Sequence, residues 1–201
     1  IKRMKKILLL MMLSLPLASA DNEIYIEQSS GASNSNYDFE QLGSANIIGG
    51  IDAVAGDMTA LDLDGTAQTI DINQIGNTNK FLGDIWADNF IGFYEFDGDS
   101  NTFNMNTDKT NTFGADGSNH YVKAVGNNNT MTLNHATTAL AGTLNLDWII
   151  NGASNTIVGN INVDGATNSI DLNGNSNNVT YTGTGYAGAY FWLDHDGSNR
   201  T

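Results

Sequence analysis

From Asp21 onward, short runs of alternating apolar and polar residues are broken by a glycine that is followed three positions later by asparagine or glutamine. Alternation with a period of two predicts half-buried strands, and Gly-x-x-Asn predicts the turn between them. Eleven of the 22 glycines fit this rule, against about 3.5 expected from composition alone, so the pattern is an internal repeat. Its clearest copies are IYIEQSSGASN (24–34), YDFEQLGSAN (37–46), LDLDGTAQ (61–68), IDINQIGNTN (70–79), YEFDGDSN (94–101), IINGASN (149–155), INVDGATN (161–168) and IDLNGNSN (170–177). Gly31 and Gly43 lie 12 apart, Gly65 and Gly76 lie 11 apart, and Gly43/Gly65, Gly76/Gly98 and Gly152/Gly174 are each 22 apart. The unit is a half-repeat of about eleven and a full repeat of about 22. Gly142 and Gly159 match the letters but not the phase, and copies drift in length between Asn104 and Asn145.

Two short strands and two tight turns bury little alone, so each copy needs neighbours above and below. The expected fold is an all-β solenoid, or β-helix, over residues 21–201. Its 181 residues make about eight coils of strand-turn-strand-turn, and at roughly 4.8 Å per coil the stack is about 40 Å long. Ile24/Ile26, Leu61/Leu63, Ile70/Ile72, Tyr94/Phe96, Ile161/Val163 and Ile170/Leu172 should point inward, with Asp, Asn, Glu and Thr between them facing water.

Residues 1–20 change the picture. Met4 followed by Lys5-Lys6, an apolar run from Ile7 to Leu17 and Ala18-Ser19-Ala20 has the order of a secretory signal peptide, with an upstream extension before Met4 and cleavage after Ala20. The expected product is secreted, to the cell surface or beyond, without a membrane span in the mature chain. It keeps Lys80, Lys109, Lys123 and Arg200 against 22 acids, about −18, which excludes a nucleic-acid partner because no basic footprint exists for phosphate. The chain has no cysteine, and its one proline, Pro16, precedes the repeats, so neither disulfides nor proline breaks shape the stack.

Catalytic chemistry finds little support. Asp62, Asp64, Asp71, Asp97, Asp164 and Asp171 occupy outward or pre-glycine positions, where Asp is a turn former. His120, His135 and His195 share no spacing, and no nucleophile motif, phosphate loop or zinc spacing occurs. The chain is therefore read as a non-enzyme without a cofactor. Calcium is the one ion whose hard oxygen ligands are on offer, in the turns at 62–65, 97–99 and 194–197, although the nine-residue period of calcium-binding β-helices is absent. Thr residues show no fixed repeat position, which argues against a regular threonine face for ice or another crystal. Aromatic clusters at Trp86, Phe90, Phe93, Tyr94 and Phe96, and at Tyr186, Tyr190, Phe191 and Trp192, are read as core filling, with sugar stacking or partner docking as the alternative.

Two copies, Phe39 to Asn46 (FEQLGSAN) and Ile72 to Asn79 (INQIGNTN), resemble the curlin repeat, whose kernel is an apolar residue, x, Gln, x, Gly, x, x, Asn. The 24–34 copy is similar, with one residue inserted between Gln28 and Asn34, and adds Gln28, Gly31 and Asn34 to the motif. Curlins are exported across a bacterial outer membrane and polymerise into curli, amyloid fibres for adhesion and biofilm structure. The resemblance implies ladder residues Gln41, Asn46, Gln74 and Asn79, corner glycines Gly43 and Gly76, self-association into fibres, and a nucleator and outer-membrane export machinery as partners. It is specific over 24–79; beyond that Phe96, Ile150, Val163 and Leu172 replace the glutamine. The alternative is a monomeric or surface-anchored β-helix adhesin that binds a glycan or another cell. No amphipathic helix caps either end, which favours assembly, and the copy that starts at Tyr190 stops before a second strand, so either the sequence is a fragment or the last half-coil is completed by another molecule.

Overall fold

The computed structural model describes residues 23–24, 26–43, 46–49, 62–76, 78–107, 116–136, 140–185 and 188–199; the expected signal peptide and Leu61 lie outside them. Among the described residues there is no helix, and every strand pair is parallel. One sheet, here sheet A, runs in the order β1 (Glu23–Ile24), β4 (Ile47–Ile48), β7 (Lys80–Asp88), β9 (Thr102–Thr107), β11 (Thr130–His135), β13 (Thr156–Asn162) and β15 (Asn178–Thr184), with β2 (Glu27–Ser33) joined through β5 (Asp62–Thr66) to β7. The facing sheet B runs β3 (Asn36–Leu42), β6 (Thr69–Ile75), β8 (Ile91–Asp97), β10 (Ser118–Val125), β12 (Leu144–Asn151), β14 (Thr167–Asn173) and β16 (Tyr190–Asp196). From β5 onward the chain alternates between the sheets, so each strand from β7 to β16 stacks on the one two elements earlier. That is a β-solenoid.

About five turns, from β7 to β16, are regular, and the expected eight coils are more than the structure holds. Coil length explains the difference. Equivalent corner asparagines are separated by 33, 22, 28, 26 and 22 residues, so dividing the chain by 22 overcounts. The 33-residue coil is the one in which β4 and β5 share a single partner: Ile47 and Ile48 face Lys80 and Phe81, while Asp62–Thr66 face Asp84–Asp88. Gly43 and Gly65, 22 apart in sequence, consequently sit at opposite corners.

The core is a column of inward residues between the sheets. Leu63, Ile70, Ile72, Tyr94, Phe96, Ile161, Val163, Ile170 and Leu172 are buried as the alternation requires, and Ile24 and Ile26 pack against them partly buried. Aromatics fill the middle: Phe81 stacks on Phe103 with centroids 5.5 Å apart, and Phe103 meets Trp148 edge-on at 6.4 Å. In sheet B one inward column reads Gln41, Gln74, Phe96, Ala124, Ile150, Leu172, His195. Val163 is buried too, but on the sheet A side, beside Ala141.

The variable coil length also hides a regularity. Thr102, Thr130 and Thr156 lie directly opposite one another on sheet A, so threonine does keep a fixed structural position. Their separations in sequence differ because the intervening turns differ in length.

Candidate functional site

The corner between sheet B and sheet A is the most repetitive part of the molecule. A strand of sheet B ends in Gly, with φ of +137° at Gly76, +149° at Gly98, +127° at Gly126, +144° at Gly152 and +147° at Gly174, a region that L side chains avoid. Two residues on, Thr78, Ser100, Asn128, Ser154 and Ser176 take left-handed φ between 58° and 68°. The asparagine that follows turns inward and is fully buried at Asn46, Asn79, Asn101, Asn129 and Asn155.

These asparagines form the ladder. The backbone N–H of Asn79 donates to Asn101 Oδ1 at 3.0 Å, and Asn101, Asn129 and Asn155 donate to the Oδ1 of Asn129, Asn155 and Asn177 at 2.8 Å each. Most of the side-chain amides then turn to a glycine carbonyl: Asn79 to Gly76 and Asn101 to Gly98 at 2.5 Å, Asn129 to Gly126 at 3.0 Å, and Asn177 to Gly152 of the preceding coil at 3.1 Å, while Asn155 Nδ2 is buried without a partner. A turn leaves backbone groups without sheet partners, and at Asn101, Asn129 and Asn177 one side chain satisfies two of them. At the first step the contact is between side chains, Asn46 Nδ2 donating to Asn79 Oδ1 at 3.2 Å. A second ladder runs outside it in the opposite sense: Asn127 N–H donates to Asp99 Oδ1 at 2.5 Å, and Ala153 N–H to Asn127 Oδ1 at 2.7 Å.

Of the kernel residues, Gln41 and Gln74 are buried and hydrogen-bonded, Gln74 Nε2 donating to Gln41 Oε1 at 2.6 Å and to the Lys80 carbonyl at 3.0 Å. The glutamine ladder therefore has one rung, after which Phe96 takes its place. Gly43 and Gly76 occupy the corner with positive φ. The 24–34 copy is placed elsewhere. Gln28 pairs with Leu63 in sheet A, Gly31 lies in the stretch where the register of β2 shifts, and Asn34 is exposed at φ 57° in the opposite corner, above Ala67 at 53°. One inserted residue moves the inward position on to half-buried Ser35, level with Gln68, so Asn34 makes the turn and stays outside the ladder.

Sequence spacing separates His120 from His135, yet their rings meet edge-on with centroids 5.7 Å apart inside the core. His135 Nδ1 lies 2.5 Å from Thr107 Oγ1; both nitrogens of His120 are buried without a partner beside Phe90 and Tyr94. Burial holds the His120 imidazole well below its usual range, and His135 pushes it the same way. Below about pH 6.5 the unfolded chain takes up a proton that the folded chain refuses, so stability falls with pH by up to roughly 1.4 kcal/mol per unit for this group. We expect the denaturation midpoint to drop from pH 7 to pH 5, and His120→Phe to flatten that slope; an unchanged slope would remove His120 as its source.

On the outer face of sheet B, Asp71 lies beside Asp38 and Glu95. Burial first, then these two charges, raise its carboxyl above the usual value. Phe93 and Tyr121 stack there at 5.0 Å, over a groove of about 300 Å³ that also includes Lys123 and Asp147. Among the described residues no group of three or more His, Cys, Asp or Glu is placed to hold a metal ion, and no helix is long and apolar enough to cross a membrane. Compared with known proteins, the chain matches no family model, no curated protein and no solved structure. The curlin likeness therefore rests on the residues of the two kernels.

Proposed function

We propose that this chain is a secreted, non-catalytic structural subunit that adds end to end into an extracellular curli-like fibre serving adhesion and matrix building. The observation that carries the reading is the corner at Gly43. Gly76, Gly126, Gly152, Gly174 and Gly197 each press against the backbone carbonyl of the corner one coil earlier. Gly43 has the same backbone, φ +122°, with no atom of the described residues within 4 Å of its Cβ position. Among the described residues it is a stacking corner with its lower side open.

The register supports the same reading. Continued by one coil, the columns of sheet B would set Tyr37 on Phe191, Phe39 on Leu193 and Gln41 on His195 of another copy. Phe191 and Leu193 are each 43 % exposed in β16, and covering them would supply apolar burial along with the backbone ladder. Export through an outer membrane and a nucleating partner belong to this reading by curlin likeness.

Gly43→Val tests it. In the single chain the new side chain meets open space, so the folded monomer should persist with only the strain of its φ. In a fibre it would strike the incoming Gly197 corner. Wild-type protein at micromolar concentration should give unbranched fibres with a reflection near 4.7 Å along the axis, and Gly43→Val should stay dispersed. A wild type that remains a β-rich monomer for days sinks the proposal, and fibres from Gly43→Val at the normal rate would sink this geometry of addition. The stack of exposed Phe93 on half-buried Tyr121 favours a second reading, a monomeric adhesin that takes a sugar on sheet B.

A further inference from the structure

The two outer faces of the solenoid differ in chemistry. Sheet B carries outward Asp71, Glu95, Asp147, Asp171, Asp194 and Asp196 with Lys123, the exposed aromatics Phe93, Tyr190 and Trp192, and the half-buried Tyr121. Strands β9, β11, β13 and β15 of sheet A contain no Asp, Glu, Lys or Arg. Their outward positions form three ranks across the coils: Thr102, Thr130, Thr156 and Asn178; then Asn104, Thr132, Val158 and Thr180; then Asn106, Asn134, Asn160 and Thr182. All but Val158 are threonine or asparagine. In a chain with 22 acids, a neutral field this size is a segregated surface.

From this face we infer a second binding activity: adsorption to the surface of crystalline water. A crystal presents identical sites at fixed translations, and this face repeats in two directions, about 4.8 Å along the stack and roughly 6.7 Å between outward positions on one strand. Threonine offers a hydroxyl and a methyl on a stiff β-branched side chain. The asparagine rank is held in place by its own ladder, with Asn106 Nδ2 donating to Asp84 Oδ1 at 2.9 Å and Asn134 and Asn160 each donating to the preceding Oδ1 at 2.7 Å. Side chains fixed beforehand lose little entropy when a lattice forms on them. Charged groups orient water radially around themselves and break such a lattice; strands β9, β11, β13 and β15 have none, and Lys80 and Asp84 of β7 border the field.

Other occupants fit less well. Sugar rings are gripped by aromatic faces, and the exposed aromatics lie on sheet B. Four strands and three ranks span roughly 20 by 20 Å, so two copies placed face to face would bury about 800 Å², short of the ~1,000 Å² that a specific protein interface needs. The variable coil lengths make these ranks invisible in the spacing of threonines along the chain.

The inference is independent of fibre growth, and it is tested on monomer cleared of assemblies. A single ice crystal is grown slowly in a dilute solution of the purified chain, and the protein in the ice is compared with that left in the liquid. Wild type should concentrate in the ice and facet the crystal. Thr132→Lys and Thr156→Lys, each confirmed folded by circular dichroism, should cut the fraction in ice about tenfold, because each sets a hydrated charge against the lattice. Ile149→Lys, on sheet B, should leave it unchanged. Wild type excluded from the ice overturns the inference. So does equal loss, or no loss, on the two faces, and so does a change in oligomeric state from the sheet A variants alone, which would make a second copy the occupant.

Discussion

Gly152→Ala should destabilise the folded chain by about 4 kcal/mol, counting roughly 1–3 kcal/mol of backbone strain and the displacement of a coil. At φ +144° an L side chain is strained whatever the space, and here the added Cβ would overlap the Gly126 carbonyl. That carbonyl is flanked by the hydrogen bonds that hold the corner, Gly126 N–H to Asn151 O at 2.9 Å and Asn128 N–H to Ala153 O at 3.0 Å. Relief therefore requires two coils to part. Gly43→Ala separates the two contributions, because its Cβ would meet nothing within 4 Å among the described residues; it should cost the strain alone, about 1–2 kcal/mol. Denaturant midpoints of the two variants, measured on monomer, check the difference. Equal costs would mean that the corner glycines serve φ and not the stacking of coils.

Much of the fold was legible because a solenoid repeats one local decision. Alternation told which residues of Ile70–Ile75 and Ile170–Asn173 face inward, and Gly-x-x-Asn marked the corners at Gly76, Gly98, Gly126, Gly152 and Gly174. The Asn ladder followed from the same letters, although its bonding did not: the expected side-chain stack occurs between Asn46 and Asn79, while from Asn101 onward each Oδ1 accepts a backbone N–H of the preceding coil. What stayed hidden depends on which coil lies above which. The meeting of His120 with His135, the rank of Thr102, Thr130 and Thr156, and the count of coils are all set by register. Register is decided by turns of 22 to 33 residues per coil, and a fixed-period reading blurs it. Asn34 shows the cost of a single insertion, since its letters fit the ladder and its position in the second corner does not.

Asn129→Ala should cost about 3 kcal/mol, and the loss should come from neighbours more than from Asn129 itself. The substitution removes the Oδ1 that accepts Asn101 N–H at 2.8 Å and the Nδ2 that donates to the Gly126 carbonyl at 3.0 Å. Both groups belong to corners closed by adjacent coils. An unpaired buried donor or acceptor costs roughly 1–3 kcal/mol, far more than the net value of a hydrogen bond made in exchange for water. For a chain of this size 3 kcal/mol lowers the melting temperature by about 6–12 °C. Asn104→Ala is the control, an exposed outward position in β9, and should stay within about 0.5 kcal/mol of wild type. Hydrogen exchange gives the sharper readout, since the Asn101 amide should lose protection in Asn129→Ala while the Asn155 amide, bonded to Asn177 Oδ1, keeps it. Uniform loss at both amides would mean that the ladder melts as one cooperative unit. The asparagines would then act as a continuous strip, and a fibre built on them would break by whole coils, with single rungs never opening alone.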